Sequence, residues 1–422
     1  MGVLREKITY ASLSYYEGSS RIWTIGDDAF NGFMNLQSVY LPEKKSVKIG
    51  ARAFVGCANL QSVSGMDYVV EIGKEAFNET KISFSELGTK ATASGNIGDL
   101  AFYSCTGIQS LTINHISSIG LNAFGFCSNL YYLTLEDYVY TITNNAFAGC
   151  FNLREIHLGQ NVSLASAAAF PSNLEYLNEI TVSTNNEKYS GTGNCLVLKS
   201  DYGLLIGTNN SVIPNTVKYI APNAFLNRTK LSSINIPASV TKIYANAFDG
   251  CTNLKEVWCE AETPPAIRPT SFANISSDAV LYVPTLDALT AYKDAGWGTY
   301  FSEIKVGKTE KNGMIWGLIP NDAGKYTLWV KGIEELGDFS AEGGAPWSKD
   351  VDNIVAVDVK YGVKSIGSNA FSEFGTVDTE VTFSLPSSLV SIADNAFSGC
   401  KRLKSIELPN SLTTIGEGAF QE

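Results

Sequence analysis

Surface chemistry needs a group that moves protons, a nucleophile or a set of metal ligands, and this sequence offers few of them. Histidine occurs only twice, as His115 and His157. His157 follows Glu155 by two residues in the strand-like run Leu153-Arg154-Glu155-Ile156-His157-Leu158, so the imidazole and the carboxylate share one face of an extended chain. One such pair on a flat sheet reads as two solvated neighbours more readily than as an acid–base couple. The eight cysteines include no C-x-x-C, and with two distant histidines they supply no metal-ligand spacing. There is no Gly-rich phosphate loop and no nucleophile elbow, so no catalytic residue, metal or cofactor is assigned. Abundant Asp and Glu leave a paired-carboxylate enzyme acting on polysaccharide as a remote alternative.

Composition narrows the partners. Lys and Arg number 31 against 42 Asp and Glu, a net charge of −11, and no basic cluster interrupts the chain. Nucleic acid and anionic membranes are therefore poor partners. Apolar residues make up 45% and charged residues 17%, enough for a core and too apolar for disorder. No run of 18 apolar residues occurs, so direct membrane insertion is not expected, and the first 30 residues lack the apolar segment of an export signal.

The elements that must position any site follow from a repeat. Phenylalanine, usually after alanine, recurs at 30, 54, 77, 102, 124, 147 and 170, then at 225, 248 and 272, and again at 371, 397 and 420, so 13 of the 21 phenylalanines share one register. The steps within each series are 22 to 26 residues. The unit reads I-G-x-x-A-F-x-G-C-x-N-L-x-x-I-x-L-P, as in Ile243–Pro264, Ile142–Gly159 and Ile392–Pro409. Its L-x-x-I-x-L segment is a strand with the first, fourth and sixth residues inward, and V-x-x-I-G forms a second strand across the coil. A unit this short cannot bury its own apolar face, so the coils must stack. The fold class is a repeat solenoid of mostly β and loop, with a parallel sheet on its concave face. Phe30, Phe54, Phe77, Phe102, Phe124, Phe147, Phe225, Phe248, Phe371 and Phe397 are assigned to its core. Cys57, Cys105, Cys127, Cys150, Cys251 and Cys400, each three residues after a repeat Phe, join them as a buried thiol ladder. Parallel side chains one coil apart do not meet disulfide geometry.

Breaks in the period set the domain organisation. A first solenoid is assigned to 1–306, with a β-hairpin insert near 183–212 and a cap near 276–306. In that cap Thr285 can cap a short helix whose apolar positions are Leu286, Leu289 and Tyr292. Residues 307–352 read as a β-hairpin cap or linker, with strands Met314–Ile319 and Tyr326–Val330 about a turn at Pro320–Gly324. A second, shorter solenoid over 353–422 stops in mid-unit and is expected to be truncated.

The repeat closely resembles the BspA-like leucine-rich repeats of bacterial surface proteins. The resemblance covers roughly 20–306 and 353–422, and it is far more specific for fold than for function. It implies a surface-exposed or secreted, non-enzymatic, adhesin-like protein that binds a host or microbial protein or a glycan, with a structural spacer as the alternative. An extracellular location and a monomer are expected. The residue ten after each repeat Phe gives a solvent-facing column that includes Tyr40, His157, Trp258 and Tyr282, and the neighbouring column includes Tyr132, Glu155 and Glu256. These seven form the candidate ligand surface, with Tyr132, Trp258 and Tyr282 expected as exposed aromatic anchors.

Overall fold

A computed structural model describes residues 7–13, 22–309, 314–321, 325–332, 335–339, 344–374 and 380–421. The chain is a parallel-sheet solenoid made almost wholly of strands and loops. Its contacts divide it into two compact units, one of residues 1–255 with 265–277 and one of 256–264 with 278–422. Trp258, the cap helix and the hairpin fall in the same unit as the later repeats.

In the first unit the L-x-x-I-x-L segments form parallel ladders. Tyr10–Ser12, Ser38–Tyr40 and Ser62–Ser64 make one sheet, and Glu86–Leu87, Ser110–Ile113, Tyr132–Leu135, Glu155–Leu158 and Glu179–Val182 make another. The V-x-x-I segments build a separate parallel sheet of seven strands, from Trp23–Ile25 to Ser163–Leu164. Between the two kinds of sheet the phenylalanines stack. Ring centroids step by 5.1, 4.9, 5.2, 5.0, 5.3 and 5.4 Å from Phe30 through Phe170, and by 4.8 and 4.9 Å from Phe225 through Phe272. Phe30, with a stacked neighbour on one face only among the described residues, is half-buried, unlike the interior rings.

Main-chain bonds tie each Ala-Phe pair to the neighbouring coil. The Phe54 amide donates to the Ala76 carbonyl at 2.8 Å, the Phe77 amide to Ala101 at 2.7 Å and the Phe124 amide to Ala146 at 2.8 Å, so each coil is stapled to the next at its tightest approach. The cysteines complete the same pattern. The thiols of Cys57, Cys105, Cys127, Cys150 and Cys251 donate to the carbonyl of the preceding repeat Phe at 3.1 to 3.2 Å. All eight cysteines are free thiols, and burial pushes that of Cys251 up to about 12. Two corners of most coils take left-handed backbone. The first lies two residues before the Phe and is filled by Asn122, Asn145, Asn223 and Asn246; the second, two residues after it, is filled by Gly32, Gly56, Gly149 and Gly250.

Where the period breaks, Cys195–Leu198 and Gly203–Gly207 form an antiparallel hairpin, and the second strand joins Tyr219–Ile220 in parallel. Gly207 stands against Phe225, where any Cβ would meet the ring at 2.0 Å. Arg228 takes the cysteine position of this repeat. It is 1% exposed, and its Nε and Nη1 donate to the carbonyls of Gly207 at 2.9 Å and Leu226 at 2.8 Å. Burial lowers its pKa to about 10.

The second unit contains Glu256–Cys259, Val280–Val283 and Glu303–Thr309 as parallel neighbours. The helix Leu286–Asp294 is capped by Thr285, whose hydroxyl accepts from the Ala288 amide at 3.1 Å, and is anchored by Tyr292 donating to the Ala261 carbonyl at 3.0 Å. The sheet continues through the antiparallel pair Ile315–Pro320 and Tyr326–Lys331, then in parallel through Ile354–Val359 and Thr382–Ser384. The hairpin expected over 307–352 is thus a pair of interior strands with neighbours on both sides; most of its turn, 322–324, lies outside the described residues. Trp347 begins a second ring ladder by stacking on Phe371 at 5.4 Å, followed by Phe397 and Phe420. Cys400, near the end of this ladder, is half-buried.

Candidate functional site

The candidate residues of the first unit sit on strands whose alternation sends every second side chain to solvent. Tyr132 lies in register with Glu155, and Thr134 with His157. Tyr132 is 41% exposed, and Tyr40 is exposed on the separate three-stranded sheet. The His157 Nδ1 meets the Thr181 hydroxyl at 2.7 Å, which ties the imidazole to the next strand and away from Glu155. Glu155 faces Glu179 across the ladder. The arrangement is a polar strip with one exposed aromatic, Tyr132. His115 is occupied elsewhere, stacked on Tyr138 at 4.5 Å.

The second unit gathers Glu256, Trp258 and Tyr282 into a different kind of place. Trp258 and Tyr282 are opposite each other on neighbouring strands and stack at 3.9 Å with 7° between planes. Trp329, from the hairpin, tilts against both at 6.4 and 5.7 Å. Trp258 is consequently only 8% exposed, which corrects the expectation of an open aromatic anchor. The cause lies in two glycines. Gly307 and Gly317 face each other on adjacent strands, leaving a trough without side chains. A Cβ on Gly307 would come within 2.8 Å of the Tyr282 ring and 3.0 Å of Trp258, and one on Gly317 within 2.7 Å of Trp329 Nε1. The rings occupy the space that side chains at those positions would have filled.

A groove of about 450 Å³ opens above this cluster. Trp258, Tyr282, Trp329, Ile315 and Ile319 form its floor, and Glu256, Lys305, Lys331, Lys360 and Tyr361 its rim. Lys305 pairs with Glu303 at 2.8 Å and Lys360 with Asp358, whereas Lys331 and Glu256 have no ion-pair partner among the described residues. Burial, with Glu256 and Glu303 nearby, pushes the Tyr282 phenol up to about 12, so it stays protonated at physiological pH. Trp329, Lys305, Lys331 and Lys360 escaped the repeat-based reading because they lie outside the ten-residue offset. Alternation along Thr327, Trp329 and Lys331 and the glycine within Ile315–Pro320 were the available signals.

A larger cavity, about 1050 Å³, lies in the first unit at the break in the period, with Phe126, Phe151, Tyr219, Tyr244, Asp201 and Arg228 among its walls. Among the described residues, no cluster of His, Cys, Asp and Glu is arranged to hold a metal ion, and no helix is long and apolar enough to cross a membrane.

With this geometry in view, the sequence matches the BspA type leucine rich repeat region, in six copies, over residues 9–96, 95–193, 205–291 and 349–422. The chain belongs to the BspA type leucine-rich repeat family. This BspA type chain is similar to a leucine rich cell surface protein of Faecalibacterium prausnitzii, at 21% identity and a TM-score of 0.43 over 97% of this chain and 87% of that one. It is likewise similar to a leucine-rich repeat protein of Bacteroides ovatus, at 20% identity and a TM-score of 0.40 over 98% and 84% of the two chains. A third likeness is to the pneumococcal vaccine antigen PcpA, at 15% identity and a TM-score of 0.32 over 72% and 90%. No protein of curated function matches this BspA type chain significantly.

Proposed function

We propose that the protein is a non-enzymatic, adhesin-like binding module of the cell surface or extracellular space that engages a protein or glycan through the main sheet of its second unit. The observation that carries this reading is the groove floored by Trp258, Tyr282 and Trp329, with Glu256 and Lys331 on its rim lacking ion-pair partners among the described residues. Aromatic floors with polar rims anchor ligands because they combine a large desolvated area with orienting hydrogen bonds. Family membership and the likeness to a surface protein of Faecalibacterium prausnitzii support the placement outside the cell.

The test is an array of host matrix proteins, mucins and glycans probed with the full chain and with Tyr282→Ala. A specific signal that Tyr282→Ala removes, with the unfolding midpoint retained, supports the reading. A signal that survives moves the site to the Tyr132 and Glu155 strip of the first unit, and silence across the array favours a spacer that displays other domains.

A further inference from the structure

The groove's rim specifies more than an apolar contact. Glu256 is an acceptor only, Lys331 a donor only, and neither has an ion-pair partner among the described residues. The protonated Tyr282 hydroxyl adds a group that both donates and accepts. The Trp329 Nε1 is buried with no hydrogen-bond partner among the described residues, which leaves one donor at the groove floor for a ligand oxygen.

Resting on the binding reading above, we infer that the groove takes a short saccharide bearing a carboxylate, of the uronic-acid class. A pyranose presents a flat C–H face to the aromatic floor, hydroxyl donors to Glu256 and a carboxylate to Lys331. A neutral sugar leaves Lys331 without a counter-charge. A polyanion meets Glu256, Glu303 and Asp358 as well as the lysines, so the same rim that accepts one carboxylate repels a dense row of them. The chain's −11 does not oppose a single charge here, because most of it lies beyond the screening length of roughly 8 Å at physiological ionic strength.

Calorimetric titration of the full chain with a trisaccharide that carries a single glucuronic acid residue, a neutral hexose trimer of equal length and a tri-glutamate peptide tests this. The acidic trimer is expected to bind at least tenfold more tightly than either comparator. Lys331→Ala, at an exposed position, should reduce that affinity about tenfold without moving the unfolding midpoint; Lys331→Arg should restore it, and Trp329→Phe should weaken it several-fold. Equal affinity for the neutral trimer, or for the peptide, overturns the inference. If no saccharide binds while an array signal is lost in Tyr282→Ala, the ligand class is wrong and the site stands. If both experiments are silent, both readings fall.

Discussion

Replacing one interior ring tests whether the stacked phenylalanines hold the coils together. Phe147 has no exposed surface and stacks on Phe124 at 5.3 Å and on Phe170 at 5.4 Å. Burial of a phenylalanine is worth about 1.5–3 kcal/mol. Each ring pair adds about 0.5–1.5 kcal/mol. Two faces therefore bring the loss in Phe147→Ala to roughly 2.5–6 kcal/mol, in line with the 3–5 kcal/mol usual for emptying a packed aromatic site. Phe30 is half-buried and stacks on one repeat ring, Phe54, at 5.1 Å, so Phe30→Ala should cost about half as much. Because stacked repeats need not unfold in one step, the assay is urea unfolding followed both by circular dichroism and by amide exchange in the flanking coils. Protection should fall in the coils on both sides of residue 147 and on one side of residue 30. Equal losses for the two variants, or an unchanged midpoint for Phe147→Ala, would refute the ladder as the source of cohesion.

Three further outcomes follow from named residues. Arg228→Cys restores the residue that most other repeats carry, yet it should destabilise by about 2–4 kcal/mol in urea unfolding, because Gly207 supplies no ring to fill the space and the arginine's bulk is lost; stabilisation would contradict this account. Cys57 and Cys400 are pushed up to about 11 by burial, above their unfolded value near 9, so the folded chain keeps protons that the unfolded chain loses. Their contribution is full below pH 9 and is lost as pH rises through 9 to 11; the urea midpoint should fall over that window, and less so in Cys57→Ala. Asn122 sits at φ 51°, and Asn122→Val should cost about 1–2 kcal/mol while Asn122→Gly stays near neutral, read by thermal unfolding.

Much of the fold was legible because one residue type repeats in one environment. Phenylalanine at a near-constant step is enough to infer stacking, and the inward Leu153, Ile156 and Leu158 around outward Glu155 and His157 follow from strand alternation. The groove was less legible. The repeat offset picks out Trp258, but its burial depends on Gly307, Gly317 and Trp329, three residues whose meeting is decided by pairing across a hairpin that interrupts the repeat. Arg228 was hidden for the opposite reason: it occupies a repeat position whose usual partner, the preceding phenylalanine, has been replaced by Gly207. A periodic pattern predicts what each coil shares, and the functional candidates arise where neighbouring coils differ.

The amide of one Phe bonding the Ala carbonyl of the next coil has a consequence for how such chains change length. The staples span 21 to 25 residues, from Phe102 and Ala123 to Phe371 and Ala396, so a duplication or loss of a whole unit recreates each bond at the new junction and small differences in unit length leave it intact. Whole units can therefore be gained or lost with the bonding pattern kept, each altering the distance between the ends of a stack by roughly 5 Å, the spacing of paired strands. Reach becomes a heritable quantity with a fixed ruler, adjustable by recombination without redesigning a single contact.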